Sequence, residues 1–257
     1  ISYFHKSEAL FVEGILTDEI MLAKVYYYLA IAYKKMGDLE KSKDYALKAH
    51  EKLEIMSDKK AYAELLTRIA ESNEAVGDFA EAIKYSTMAL DVYKDCQDEY
   101  ELGEIELNLG KLYEDFEKYD LALIHFKKAE VIFHKTPDML IEVYFYLAEC
   151  YAYLGQRSDA YDVLAYLDKV ILEEDFLGNI RLYRVKSKVE SIFNNMKGAV
   201  NNLILALNQA REKKIKAEES EILILMAKFY LDKGKNMESY KLLEKHLHID
   251  EDEKGGY

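Results

Sequence analysis

The sequence is poor in almost everything that interrupts a helix. One proline and 11 glycines among 257 residues are too few for a sheet protein, where every strand pair needs its own reversal. The single proline, Pro137, stands in "HKTPDM", where a helix break is expected in any case. Tryptophan is absent, and Cys96 and Cys150 form no CxxC or Cys/His cluster. That usage predicts reduced thiols in a cytoplasmic protein, not a disulfide framework or a zinc site. No apolar run reaches the ~18 residues that a membrane span requires, and the N-terminus carries no signal-peptide pattern. Cations are scarce as well: 35 Lys and Arg face 48 Asp and Glu, a net charge of -13. A phosphate backbone would be repelled, which excludes this region as a nucleic-acid binder in its own right.

Catalytic signatures are missing too. There is no GxGxxG, P-loop, GxSxG or HExxH. The six histidines are scattered, and His246 and His248, two apart on a helix, would point about 200° from each other, poor geometry for a shared metal. Acidic pairs such as Glu173-Glu174 read as solvated helix faces. The expectation is a chain that is not an enzyme and holds no cofactor and no metal.

What the sequence does contain is a repeat of about forty residues. Ala30, Tyr33, Gly37, Ser42 and Ala49 set a frame that recurs as Ala70, Asn73, Gly77, Ala82 and Ala89. It returns as Gly110, Tyr113, Glu117, Ala122 and Ala129, and as Ala148, Tyr151, Gly155, Ala160 and Leu167. A weaker copy starts at Ser187 and a last one at Ala227, so the first positions are spaced by 40, 40, 38, 39 and 40 residues. Within each copy apolar residues fall at i, i+3, i+4 and i+7, as in Tyr26, Leu29, Ala30 and Tyr33, the stripe of an amphipathic helix. A glycine then stops that helix in four of the six copies, because it takes the left-handed C-cap conformation without a Cβ clash. Asp38 and Asp78 follow, placed to N-cap a second helix. Small residues seven apart, such as Ala82 and Ala89, mark where helices approach closely.

This pattern resembles the tetratricopeptide repeat superfamily over nearly the whole chain. "LNLGKLYEDFEKYDLALIHFKKA" carries Leu109, Gly110, Tyr113, Ala122, Phe126 and Ala129 at the family's positions. It departs at Glu117, where glycine is usual, and the fifth copy departs most, with Lys186, Ser187 and Glu190 at packing positions; displaced or kinked helices are expected there. The resemblance implies an all-α, right-handed superhelix of stacked antiparallel helix pairs. One solenoid over 1–249 is expected, with units at 14–56, 57–97, 98–136, 137–173, 174–213 and 214–249 and an acidic, disordered tail over 250–257. Residues 1–13 read as the second helix of a truncated unit, because Ala9-Leu10 precedes Ala30 by the 21 residues that separate Ala49 from Ala70. More protein upstream is therefore expected. The unit is longer than the ~34 residues of the common repeat. In length and texture it is similar to the peptide-sensing domains of Gram-positive Rap, PlcR and NprR regulators, which implies an upstream effector such as a DNA-binding helix-turn-helix.

In such a superhelix the first helix of each unit lines the inner wall. The stripe opposite the packing stripe holds the candidate ligand-binding residues: Tyr27, Tyr28 and Ile31, then Arg68 and Glu71, then Asn108 and Lys111, then Phe145, Tyr146 and Glu149, and finally Arg184 and Lys188. Exposed aromatics in a concavity suit peptide side chains. They could equally be buried by tight superhelical closure or by a missing N-terminal element. Charge sorts along the stripe, with the first and fifth units basic and the second to fourth mainly acidic, which favours an extended peptide of mixed charge. Asn108, in "LNLG", matches an asparagine that the resemblance implies grips a ligand's backbone; a side-chain amide both donates and accepts. Tyr26 and Tyr33 are assigned to packing, Tyr27 and Tyr28 to the wall. The leading reading is a cytoplasmic peptide-binding sensor of a regulator, and the alternative is a constitutive protein-interaction scaffold. Homodimers are compatible with the resemblance, although no patch in the sequence marks an interface.

Overall fold

The computed structural model describes residues 1–14, 18–54, 59–75, 77–96 and 98–232, with isolated positions from 234 to 241. All regular structure among them is helical. His246, His248 and the acidic tail lie outside the described residues. Contacts divide the chain into two compact units, residues 1–135 and 136–257.

The first unit opens with α1 (Ser2–Val12), followed by three antiparallel pairs. These are α2 (Glu19–Lys35) with α3 (Leu39–Glu54), α4 (Lys59–Ala75) with α5 (Phe79–Cys96), and α6 (Glu99–Asp115) with α7 (Tyr119–Ile132), closed by a 3-10 turn over Phe133–Lys135. The small residues singled out by the repeat do bring the helices together. Ala49, Ala82, Ala89, Ala122 and Ala129 are fully buried, leaving room for Tyr93, Phe126, Leu66 and Leu109 to fill the layers between helices. Burying each such large side chain contributes about 1.5–3 kcal/mol.

The second unit pairs α8 (Pro137–Tyr153) with α9 (Arg157–Val170) and α10 (Phe176–Ile192) with α11 (Met196–Glu212), and then adds α12 (Lys216–Asp232). Pro137 is the first residue of α8, where its missing N–H would be unsatisfied anyway. Ile180, Leu203, Ala206, Ile222 and Leu223 form one core cluster of this unit. In the fifth repeat α10 and α11 are each unbroken over 17 residues, and its unusual residues find partners. Ser187 is buried, Lys186 pairs with Asp168 of α9, and Glu190 accepts from the Asn195 amide at 2.7 Å.

One turn geometry recurs through both units. The N–H of Asp38 donates to the carbonyl of Tyr33, and the same bond from residue i to i−5 recurs at Asp78, Lys118, Gln156, Asn195 and Lys235. This is the Schellman closure, which satisfies a carbonyl that the helix end would leave orphaned and needs a left-handed residue just before the donor. Gly37, Gly77, Gly155 and Gly234 supply it with φ between 70° and 81°. Where glycine is missing, Glu117 and Asn194 adopt the same conformation at φ 56° and 61°. Asp38 and Asp78 then cap the next helix as expected, accepting from the N–H of Lys41 at 3.2 Å and of Glu81 at 3.4 Å.

Candidate functional site

Each unit holds a cavity, and the candidate residues divide between them. In the second unit a cavity of about 980 Å³ is lined by α8, α10 and α12, at the top of the ~300–1,000 Å³ range of ligand pockets. Phe145, Tyr146, Glu149, Arg184 and Lys188 all line it. Three-residue turns reverse the chain between α10 and α11 and again between α11 and α12, so α10 and α12 run in the same direction. Their facing stripes form two walls of one trough, with α8 as the third.

The trough is electrostatically layered. Arg181, Arg184 and Lys188 share one face of α10 by their spacing of three and four residues. Arg181 pairs with Glu142 and Lys188 with Glu149, both on α8 and both at a sequence separation of 39. Arg184 reaches the other way: its Nη1 and Nη2 lie 2.9 Å from Glu218 and 3.0 Å from Glu221 of α12. Aromatic faces complete two of these seats, with Arg181 stacked 4.3 Å from the Phe145 centroid and 5.5 Å from that of Tyr146. Lys188 sits 5.3 Å from the Tyr153 ring. Burial works against the Arg181 charge, but the hydrogen bond to Glu142 and the fields of Glu142, Tyr146 and Glu149 outweigh it, and its pKa is raised. The charge sorting read along the repeats is thus satisfied largely by pairing between neighbouring repeats.

The first unit holds a smaller cavity of about 410 Å³, lined by Tyr27 and Ile31 together with Lys34, Asn73, Asp78 and Tyr85. Lys34 donates to Asn73 Oδ1 and to Asp78 Oδ2, the latter at 3.1 Å. Tyr27 is not an exposed wall residue. It is buried against Leu65 and Ile69 of α4, and its hydroxyl donates to the Arg68 carbonyl. Leu107 and Phe145, at the same position of their repeats, are buried likewise. Tyr28 is part-exposed and stacked 5.5 Å from Phe4 of α1, and it lines neither cavity. Tyr33 packs as expected, stacked 5.6 Å from Tyr45, with His5 Nε2 at 2.8 Å from its hydroxyl. Arg68 and Glu71 are exposed, and Asn108 and Lys111 are half-buried; none of these four lines either cavity.

Five lining residues of α12, Glu218, Leu225, Lys228, Phe229 and Asp232, were absent from the candidate set. The stripe offsets used for the other repeats, carried forward from Ala227, land on Leu225, Lys228 and Asp232 but miss Glu218 and Phe229. Arg181 and Tyr153 also line the cavity and lie on the same stripe. Among the described residues no group of three or more His, Cys, Asp or Glu is placed to hold a metal, and no helix is long and apolar enough to cross a membrane.

Comparison with known proteins agrees with this architecture. The tetratricopeptide repeat profile matches residues 21–95. No curated protein matches the chain by sequence. Among solved structures, aspartyl phosphate phosphatase F from Bacillus subtilis is similar over 97% of this chain and 64% of its own, at 18% identity and a TM-score of 0.61. The chain therefore spans less than two thirds of that protein. The apo form of RapI is similar over 99% of this chain and 70% of its own, at 18% identity and a TM-score of 0.68. A Rap protein complexed with competence and sporulation factor is similar over 97% and 68%, at 18% identity and a TM-score of 0.60. The chain has the fold of the tetratricopeptide-repeat proteins.

Proposed function

We propose that this chain is a non-catalytic, peptide-binding repeat domain, the sensor part of a cytoplasmic regulator, and that the trough between α8, α10 and α12 is its peptide seat. One observation carries the reading: five candidate residues chosen for their position on the inner stripe, Phe145, Tyr146, Glu149, Arg184 and Lys188, line one large cavity. The trough offers what an extended peptide needs. Its fixed charges can bond main-chain amides, and its aromatic and aliphatic faces can take side chains. The Rap protein complexed with competence and sporulation factor supports the reading, since its fold is similar to that of this chain. Homodimerisation belongs to the same proposal.

Titration calorimetry with acetylated, amidated heptapeptide pools tests it. Saturable binding that Tyr146→Ala and Arg184→Ala both weaken is the expected result. Binding that neither change alters would move the seat elsewhere. No binding by any pool, with a folded protein partner captured instead, would favour the constitutive scaffold.

A further inference from the structure

Helix α8 carries the same device twice. Glu142 and Tyr146 stand four residues apart, and so do Glu149 and Tyr153, exactly one heptad further along. At i and i+4 a carboxylate and a ring share one helix face, and together they make a seat for a cation: one supplies charge, the other a negative π-face. Both seats are filled by the protein's own α10. Arg181 takes the first, on Glu142 and the Phe145 and Tyr146 rings. Lys188 takes the second, on Glu149 and the Tyr153 ring.

The two occupants are not equivalent. Arg181 is a planar fork stacked on two rings, a geometry that holds a guanidinium in place. Lys188 is a point charge on a flexible stem, set against the Glu149 carboxylate and the Tyr153 ring, and its side chain is 43% exposed beside 38% for Arg181. Releasing it into water returns rotamer freedom to a lysine. The Glu149 side chain, however, is only 15% exposed. A carboxylate that shielded is costly to leave without a counter-charge, so Lys188 can leave readily only when another cation arrives.

We infer that Lys188 is a displaceable internal plug in a cation subsite formed by Glu149 and Tyr153, and that the trough selects peptides bearing a lysine or arginine side chain. This deepens the peptide-binding reading and rests on it. An acidic or neutral peptide gains nothing at Glu149, whereas a basic side chain replaces Lys188 like for like and frees it to the solvent.

The test uses the whole chain and three acetylated, amidated heptapeptide pools of net charge +2, 0 and −2, titrated into wild type, Lys188→Met and Glu149→Gln. Thermal unfolding of each variant verifies folding. The +2 pool should bind wild type best. Lys188→Met, which keeps the stem and removes the plug, should tighten that pool roughly two- to fivefold, the scale of a partly exposed ion pair. Glu149→Gln should erase the preference for the +2 pool. Tighter binding of the 0 or −2 pool, or a Lys188→Met variant that binds the +2 pool no better, would overturn the plug while leaving peptide binding intact. Absence of binding by every pool to every variant would overturn both.

Discussion

The ring of Phe126 on α7 lies so close to the backbone of Gly110 on α6 that a Cβ built there would fall 2.4 Å from its Cδ1 and Cε1 atoms. Phe126 is fully buried, so the ring has no solvent side into which to retreat. Gly110→Ala would gain about 1 kcal/mol of helix propensity on an exposed surface. Here the overpacking cost of about 1–3 kcal/mol should dominate, and the variant should unfold at lower urea concentration than wild type. The double change Gly110→Ala with Phe126→Leu should recover part of the loss, because it shortens the obstructing ring.

Glu117 tests the opposite principle. Its φ of 56° is left-handed, and such a conformation costs a residue with a Cβ roughly 1–2 kcal/mol relative to glycine. Glu117→Gly should therefore stabilise the turn between α6 and α7, although glycine's greater freedom in the unfolded chain returns part of that gain. A higher midpoint of thermal unfolding, by a few degrees at most, is expected, and Gly155→Ala at the matching turn should lower it.

These two turns show what was legible in the residues and what was not. Repeat length, helix pairing and the small-residue contacts were all readable, because each rests on local spacing that the backbone hydrogen bonds enforce. Glu117 and Asn194 hid their turns, since the Schellman bond closes whether or not glycine is present. In the second unit the stripe offsets led to residues that line one trough, but the ion pairing of that candidate site was not legible. Pairing between Arg181 and Glu142 or Lys188 and Glu149 depends on how neighbouring repeats register, and a single stripe does not contain that.

Tyr27 and Tyr28 separate stability from surface more sharply than their adjacency suggests. Tyr27 is buried and bonds the Arg68 carbonyl, so Tyr27→Phe should cost about 0.5–1.5 kcal/mol, and Tyr27→Ala about 3–5 kcal/mol. Tyr28 is part-exposed, with its ring stacked on Phe4, and Tyr28→Ala should cost no more than about 0.5–1.5 kcal/mol for the lost pair. Urea unfolding of the three variants checks the order.

Acid should act partly through Asp78. The hydrogen bond from Lys34 is the largest influence on this carboxyl and holds it below the ordinary aspartate value of 3.8. A folded-state pKa below the unfolded one means that the ionised group stabilises the fold above the unfolded value, and that this is lost as pH falls through the folded value. Asp78→Asn keeps the capping oxygen for the N–H of Glu81 and removes the charge. Its stability deficit against wild type should be present at neutral pH, shrink below 3.8 and vanish in stronger acid, as urea midpoints across that range would show.

The buried carboxylate of Glu106 offers a test of coupling between neighbouring side chains. It is 5% exposed, with His125 Nδ1 at 2.6 Å and Lys128 Nζ at 3.3 Å, and the His125 ring stacks 5.2 Å from Tyr113. Removing His125 takes away the shorter of these two contacts and leaves the shielded carboxylate to Lys128, a loss of about 1–3 kcal/mol. His125→Leu should therefore be destabilising, although leucine itself suits a half-buried helix position. Replacing both members by apolar side chains removes the stranded carboxylate altogether. The double variant Glu106→Met with His125→Leu should lie closer to wild type than His125→Leu alone, with a coupling energy above ~1 kcal/mol in a double-mutant cycle. Additive losses would instead mean that Lys128 alone satisfies the carboxylate, and that the histidine contributes by stacking on Tyr113.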